Sequence, residues 1–218
     1  SYIIRDLTTR GEMLEENMAR DYVKTIIMFL NKTRVNTAVF TASYRIQEHL
    51  IKAGLLEVAK KLGYQKYVES KKLSGQEARR ILDGFKARAK EGNGLLIGPM
   101  GGRFAEGADF PGEELQAIFL VGIPFEKPTK RTRLYVEYYK DLYGDEKGVL
   151  YAYILPAIRR ASQALGRALR SPDDKAVLIL GDERYEKYKS YLQEFVEDWY
   201  IKIDYSMITK IDIPWCTR

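Results

Sequence analysis

Ala117-Ile118-Phe119-Leu120-Val121-Gly122-Ile123 is a short and almost unbroken run of apolar residues. A run of this kind is typical of a strand that is buried on both faces, as in a parallel sheet. Residues 37–41, 94–98 and 176–180 have the same character, and residues 67–69 form a weaker fifth candidate. The sequence therefore predicts a parallel sheet of four or five strands.

Segments with a helical spacing of apolar residues flank these strands, at residues 11–30, 44–62, 75–90, 129–142, 154–169 and 185–200. Strands that alternate with helices indicate an α/β fold, in which helices cover both faces of a parallel sheet. Since no long linker or internal repeat divides the chain, we predict one domain over residues 1–204. Residues 205–218 would form an extension or a packed tail.

The composition excludes several classes of protein. The 218 residues include one Cys, Cys216, and one His, His49. The chain therefore contains neither an internal disulfide nor a cysteine-ligated metal cluster, and His49 lacks a partner at catalytic spacing. No secretory signal and no window of membrane-spanning length is present. We expect a soluble protein in the cytoplasm, or in the nucleus if its source is eukaryotic.

The positive charge is concentrated in one region. Residues 126–170 contain ten Lys and Arg and five Asp and Glu, an excess of +5, against +6 for the whole chain. From charge alone, this region is either a solvated helical surface or a surface that binds anions.

The segment Phe40-Thr41-Ala42-Ser43-Tyr44-Arg45 joins a predicted strand to a predicted helix. Ser43 has the position of an N-cap, and the free backbone N–H groups of a helix start bind phosphate readily, here with Arg45 beside them. An ordinary structural N-cap would have the same pattern, so the segment alone leaves both interpretations open.

A glycine-rich segment at residues 98–112 follows another predicted strand and contains five glycines. Glycine allows the backbone to approach a ligand closely or to adopt positive φ. The phosphate-loop pattern G-x-x-x-x-G-K-[ST] is absent from the chain. This segment is either a binding loop or a long surface turn.

The segment 159–170 places arginines at helical spacing. On a helix that continues to Arg170, one face would present Arg160, Gln163, Arg167 and Arg170 and no acidic residue. Guanidinium groups that repel one another in this way favour an anion opposite them, and Arg is suited to paired contacts with phosphate.

Together these segments resemble the second motor domain of superfamily 2 helicases, in particular the XPD-type, DinG-related DNA helicases. The segment 40–44 is similar to helicase motif IV, the segment 102–110 to motif V with its Glu-Gly-x-Asp-Phe core, and the segment 163–170 to motif VI. The order and spacing agree over nearly the whole chain. Asp182 and Arg184 fit the Gly-Asp-x-Arg ending of the family, and we interpret them as a surface ion pair.

The resemblance implies a RecA-like fold and a set of roles. Arg167 and Arg170 would be the catalytic arginine fingers that contact the γ-phosphate of ATP bound on the other motor domain. Nucleotide contacts would come from Gln163, Asp109, Gly107 and Glu106. DNA contacts would come from Ser43, Tyr44, Arg45, Arg103, Arg131 and Arg133, along a single-strand path that the many tyrosines would help to line.

The resemblance also implies parts that this chain lacks. A helicase of this type has a phosphate loop, an acidic box for Mg²⁺ and four cysteines for an iron–sulfur cluster, and none of these is present. We therefore expect the chain to be the carboxyl-terminal part of a longer, monomeric enzyme, inactive alone, with ATP, single-stranded DNA and the amino-terminal motor domain as partners. The alternatives are a stand-alone nucleic-acid-binding or regulatory module and, less favoured, a small metabolic enzyme with an anion site.

Overall fold

The structure, a computed structural model, describes residues 1–10, 14–171, 173–192, 201–211 and 213. Within these residues the chain forms one sheet of seven strands. The strands are β1 (Tyr2–Ile4), β2 (Thr37–Thr41), β3 (Gln65–Val68), β4 (Gly94–Pro99), β5 (Ala117–Val121), β6 (Val177–Gly181) and β7 (Ile201–Ile203). Their order across the sheet is β3-β4-β2-β5-β6-β1-β7, and every neighbouring pair is parallel.

Helices connect the strands. The α-helices are α1 (Glu16–Thr33), α2 (Tyr44–Lys52), α3 (Leu55–Lys61), α4 (Gly75–Lys86), α5 (Arg103–Gly107), α6 (Lys130–Tyr143), α7 (Asp145–Val149), α8 (Leu155–Leu165) and α9 (Tyr185–Tyr188). A π-helical turn, Leu150–Ile154, joins α7 to α8. None of the helices in the described ranges is both long and apolar enough to cross a bilayer.

The central strand β5 shows why the sheet is parallel and buried. All five of its residues are fully buried, and they alternate between two cores. Ile118 and Leu120 pack into the core that also contains residues of α4, α5 and α8. Ala117, Phe119 and Val121 pack into the opposite core, with residues of α1. The predicted α/β fold, a parallel sheet with helices on both faces, is therefore confirmed.

The predicted strands lie within two residues of the observed ones, and two strands were not predicted. β1 and β7 are three residues long, and β1 joins the sheet between β6 and β7 through partners that are far apart in sequence, such as the pair Tyr2 and Ile179. A three-residue segment carries no usable periodicity, so the sequence gives little signal for either strand.

Glycines shorten two of the predicted helices. The predicted helix 44–62 is two helices, because Gly54 adopts a left-handed conformation with φ of 95° between α2 and α3. The predicted helix 154–169 ends at Leu165 with Gly166 as its C-cap. Arg167 and Arg170 consequently lie beyond the helix, and the prediction of one continuous helical face was wrong. The helix predicted at 185–200 begins as α9 and continues as a 3-10 turn to Leu192, and its remainder lies outside the described residues.

The helices α6 and α7 form an exposed hairpin on the domain. None of the residues of α6 is buried, and α6 packs on α7 where Gly148 meets the backbone of Lys140. At the other end of the chain, a 3-10 turn at Tyr205–Lys210 contacts α1, with Ile208 and Ile211 buried in the α1-side core. The boundary at residue 204 between the domain and a carboxyl-terminal extension stays a prediction.

Candidate functional site

The carboxyl ends of β2, β4, β5 and β6 meet at one edge of the sheet and border an open groove. The volume of the groove is about 1070 Å³. Residues that line it include Ser43, Tyr44, Arg45, Glu106, Lys127 and Arg160. Ligands of open parallel sheets bind at this edge, where the loops after the strands converge. The structure therefore brings four of the residues predicted from sequence to one groove: two of motif IV, the adjacent Arg45, and one of motif V.

Ser43 is the N-cap of α2. Its backbone is extended, and its hydroxyl oxygen accepts a hydrogen bond from the backbone N–H of Ile46 at 3.3 Å. The strand β2 ends two residues earlier, at Thr41, whose hydroxyl donates to the carbonyl oxygen of Ser43 at 2.9 Å. These contacts direct the amino end of α2 towards the groove.

Tyr44 is hydrogen-bonded to Glu69, a residue that was not predicted from the sequence to belong to the site. Its hydroxyl donates to Oε1 of Glu69 at 2.7 Å, and Nζ of Lys71 lies 5.4 Å from the centre of its ring. Burial, followed by the hydrogen bond to Glu69, raises the pKa of Tyr44. The hydroxyl therefore keeps its proton at neutral pH and remains a donor to the carboxylate.

The same carboxylate binds the amino end of α5. Glu69 is fully buried. Its Oε1 accepts from the backbone N–H of Arg103 at 2.8 Å, and its Oε2 accepts from that of Phe104 at 3.0 Å. Two glycines of the segment 98–112 are required by this carboxylate, since a Cβ at Gly98 or Gly102 would lie 2.8 or 2.6 Å from its oxygens. Within this segment only Gly112 has positive φ.

Arg167 binds the carboxyl end of α5. Its guanidinium donates to the backbone carbonyl oxygens of Ala105, of Ala108 at 2.9 Å and of Glu106 at 2.7 Å. Burial, and then the positive charge of Arg170, lowers the pKa of Arg167. The short helix α5 thus has a carboxylate at its amino end and a guanidinium at its carboxyl end, which is the favourable arrangement for the dipoles of its peptide groups.

Arg170 and Asp109 form an ion pair between motifs VI and V. The distance between Nη2 of Arg170 and Oδ1 of Asp109 is 2.6 Å, and their side chains are 42% and 71% exposed. The backbone N–H of Arg170 also donates to Oδ2 of Asp174 at 2.7 Å. Arg170 is therefore oriented by two carboxylates while its guanidinium stays accessible.

Several predicted site residues lie apart from these contacts. Gln163 is exposed on α8, and Gly107 has open space around it, since a Cβ there would meet no atom within 4 Å. Arg131 and Arg133 are exposed on α6 and do not line the groove. Arg103 contributes its backbone N–H to Glu69, as described above.

The arginine surface is not free of acids. Nη2 of Arg160 lies 2.7 Å from Oε1 of Glu126, and Arg170 is paired with Asp109. The sequence pattern suggested no acid because Glu126 and Asp109 are far from residues 159–170 in the sequence. By contrast, Arg45 and Lys127 line the groove without an ion pair or a side-chain hydrogen bond to any part of the chain that the structure describes.

The pair Asp182 and Arg184 is not a surface ion pair. Asp182 is fully buried, and its two oxygens accept from Nε and Nη2 of Arg184 at 2.7 Å each. The backbone N–H of Thr9 donates to the same carboxylate at 3.0 Å. The hydrogen bonds of Asp182 therefore attach the segment after β1 to the end of β6, beside the groove.

No three His, Cys, Asp or Glu side chains are grouped to hold a metal ion among the residues with described positions. With a single cysteine in the sequence, the donor set for an iron–sulfur cluster is also lacking in this chain.

The parallel sheet, the loops at its carboxyl edge and the arginine loop (residues 166–170), which contacts α5 and the residues after it, define a RecA-like motor domain. Residues 26–200 match the family described as the helicase C-terminal domain, and the chain belongs to this family. The resemblance to the carboxyl-terminal part of XPD-type helicases is confirmed by its relatives.

Two relatives illustrate this similarity. The chain is 25% identical over 214 residues to the general transcription and DNA repair factor IIH helicase subunit XPD/RAD3 of Saccharomyces cerevisiae, covering 95% of this chain and 27% of that protein. It is 26% identical over 189 residues to the ATP-dependent DNA helicase XPD of Sulfolobus acidocaldarius, covering 85% of this chain and 31% of that protein. The chain thus spans about a third or less of these relatives.

Solved structures agree on the fold. A chain described as XPD apo superposes with a TM-score of 0.72 at 22% identity, covering 93% of this chain and 39% of that one. The C-terminal domain of the DEAD-box protein Dbp5 gives a TM-score of 0.51 at 15% identity and covers 96% of both chains.

Proposed function

We propose that this chain is the carboxyl-terminal motor domain of an ATP-dependent DNA helicase of the XPD type that unwinds DNA in repair. The observation that carries the proposal is the set of bonds between motifs V and VI. Arg167 binds three carbonyl groups of residues 105–108, and Arg170 pairs with Asp109. One of these residues, Glu106, lines the groove, so the arginine loop and the groove share one short segment.

On the nucleotide side, Arg167 and Arg170 act on ATP that is bound to the amino-terminal motor domain. The phosphoryl group in transfer carries negative charge, and an arginine positioned against it accelerates hydrolysis by stabilising that charge. Arg170 is the better placed of the two for direct contact. Its ion pair with Asp109 is exposed, and such pairs contribute about 1 kcal/mol or less, so a phosphate can replace the carboxylate.

Arg167 acts on ATP indirectly. Its guanidinium is already occupied by three carbonyl groups, so it holds residues 105–108 against the arginine loop. Asp109, Gly107 and Glu106 then lie beside the nucleotide, as their position in motif V implies. Gln163, exposed on the last turns of α8, completes the nucleotide side.

On the DNA side, the groove binds a single strand. Arg45 and Lys127 supply positive charge that forms no ion pair with any acid among the residues that the structure describes, and the amino end of α2 supplies backbone N–H groups near Ser43. Phosphate contacts of this type account for most of the affinity for single strands, and stacking of bases on aromatic rings adds to it.

The hairpin of α6 and α7 extends this path. Arg131 and Arg133 are exposed there, and the rings of Tyr135, Tyr139, Tyr143 and Tyr151 form a continuous series with centre-to-centre distances of 4.8, 5.8 and 5.2 Å. Tyr135 and Tyr143 are each 50% exposed, so their faces are available to bases.

We propose that the remaining parts of the motor belong to another part of the same polypeptide. The amino-terminal motor domain of the same polypeptide holds ATP and Mg²⁺ and carries the iron–sulfur cluster, and the enzyme works as a monomer. The 218-residue chain alone lacks the lysine of a phosphate loop and the Mg²⁺ ligands, and so it does not hydrolyse ATP.

The test is to measure ATP hydrolysis and the unwinding of a partial duplex by the full-length protein, with single-stranded DNA and with blunt duplex of the same sequence. We expect hydrolysis that single strands stimulate and duplex does not, and no hydrolysis by the 218-residue chain alone. Single-strand binding without stimulated hydrolysis in the full-length protein would overturn the proposal in favour of a nucleic-acid-binding module.

A further inference from the structure

Glu69 follows the end of β3, and its carboxylate is buried. Its exposure is zero, and no Lys or Arg forms an ion pair with it among the residues with described side chains. A buried charge is unfavourable unless hydrogen bonds replace its water. The position therefore needs a reason other than ordinary packing.

Three hydrogen-bond donors from two different segments take the place of water around the carboxylate of Glu69. The hydroxyl of Tyr44 and the backbone N–H of Arg103 donate to Oε1 at 2.7 and 2.8 Å, and the backbone N–H of Phe104 donates to Oε2 at 3.0 Å. Tyr44 is the first residue of α2, and Arg103 and Phe104 open α5. One carboxylate thus holds the starts of two helices together.

The backbone of Glu69 strengthens the link. Its carbonyl oxygen accepts from Nε2 of Gln47 in α2 at 2.7 Å, and its N–H donates to the carbonyl oxygen of Ile97 in β4 at 2.8 Å. The side chain is therefore anchored to α2 and to the sheet, and α5 is the element that its carboxylate positions.

The contacts form one continuous connection from the groove to the arginine loop. They run from Tyr44 to Glu69, through α5, and from the carbonyl groups at the end of α5 to Arg167. We propose that Glu69 is a positioning residue that couples DNA binding at the start of α2 to the nucleotide-side arginines by fixing α5 between them. This inference rests on the proposed function.

A substitution at Gly102 provides a second way to disturb the same contact, and a substitution at Gly101 provides its control. A Cβ at Gly102 would lie 2.6 Å from Oε1 of Glu69, so Gly102→Ala displaces the carboxylate from the side of α5. A Cβ at Gly101, one residue earlier, would have its nearest neighbour at 3.8 Å. Gly101→Ala is therefore a matched control that adds the same methyl group without the clash.

The experiment measures coupling in the full-length polypeptide. The dissociation constant for an oligothymidine is determined with and without a non-hydrolysable ATP analogue, for the wild type, Glu69→Gln, Gly102→Ala and Gly101→Ala. The ratio of the two constants is the coupling factor, which is about 5 to 150 for typical linked sites. Hydrogen exchange of a peptide that covers residues 100–108 reports the position of α5 in the same samples.

We expect Glu69→Gln and Gly102→Ala to reduce the coupling factor to less than about 2, to change oligothymidine binding without the analogue by less than about threefold, and to speed exchange at residues 103–104. Gly101 lines the groove, so Gly101→Ala can change oligothymidine binding itself, but it should keep the wild-type coupling factor and the wild-type exchange at residues 103–104. A coupling factor that stays at the wild-type value while exchange at residues 103–104 is faster would overturn the inference.

The two proposals fail in different ways. A wild-type protein that does not bind oligothymidine, or that binds no ATP analogue, refutes the proposed helicase function itself. A wild type with clear coupling that Glu69→Gln and Gly102→Ala both retain refutes only the role of Glu69. If Glu69→Gln does not fold, Gly102→Ala decides alone, because it leaves the buried carboxylate in the chain.

Discussion

Nη2 of Arg170 lies 2.6 Å from Oδ1 of Asp109, which joins the end of motif VI to the end of motif V across 61 residues of sequence. Only three residues before Arg170, Arg167 binds the carbonyl groups of residues 105–108. The two arginines thus contact the same segment, one through its backbone and one through a side chain. This difference predicts different effects when each is removed.

Removing the Arg170–Asp109 pair should have little effect on stability. Because both side chains are substantially exposed, water and salt screen the pair, and it contributes about 1 kcal/mol or less to the free energy of unfolding. Asp109→Asn and Arg170→Ala should therefore each change the urea midpoint of the 218-residue chain only slightly. A loss above about 2 kcal/mol in either variant would show that the pair is structural.

Removing Arg167 should destabilise the chain more. Arg167→Ala leaves three carbonyl groups without their donor, and unsatisfied polar groups cost about 1 to 3 kcal/mol each when buried, less here because the site is partly exposed. We expect a loss of roughly 2 kcal/mol in urea unfolding. Arg167→Lys should recover a part of it, since an ammonium group reaches one or two of the carbonyls. Equal stability of Arg167→Ala and Arg170→Ala would contradict the contacts.

Substitutions at two serine N-caps distinguish an effect on stability from an effect on DNA binding. Ser43 caps α2 beside the groove, and Ser74 caps α4 through a capping box with Glu77. Replacing either by Ala should cost about 1 kcal/mol of unfolding free energy. Only Ser43→Ala should also weaken binding of single-stranded DNA, measured by fluorescence anisotropy. If Ser74→Ala weakens binding as much, the start of α2 is not a DNA contact.

Arg45 should contribute to the salt dependence of DNA binding. Each phosphate contact on a single strand adds about 0.7 to the slope of log K against log salt. Arg45→Ala should therefore lower the magnitude of the slope by about that amount. Arg20, which is exposed on α1 and paired with Glu16, gives the control: Arg20→Ala should leave the slope unchanged. An unchanged slope in Arg45→Ala would place the strand elsewhere.

The fold was largely predictable because its central strands are continuous apolar runs. β5 contains no polar residue and β2 only Thr37 and Thr41, which are both buried, so the sequence shows the position and the burial of both strands. β1 and β7 were not predictable, since three residues carry no periodicity and their pairing depends on partners far away in sequence. The end of α8 at Leu165 depends on Gly166, whose effect the predicted helix ignored.

The motifs of the candidate site could be predicted from the sequence, but the contacts of their residues could not. The sequence located Arg167, Arg170 and Asp109 but not the bonds that they form, because those bonds depend on the packing of α5, which follows β4, against α8. Glu69 was missed because it is a single acid at the end of the weak strand predicted at residues 67–69. The signal that could have found it is the pair Gly98 and Gly102, which must remain without side chains to admit a carboxylate.

The rate of single-strand-stimulated ATP hydrolysis tests whether Arg170 acts on ATP held by the other motor domain. The rate is measured for the full-length protein with Arg170→Ala, and Arg20→Ala is the control. An arginine finger contributes about 10³-fold or more. We predict a loss of that order, with the dissociation constant for single-stranded DNA within about threefold of the wild type. Turnover equal to that of the control would contradict the claim.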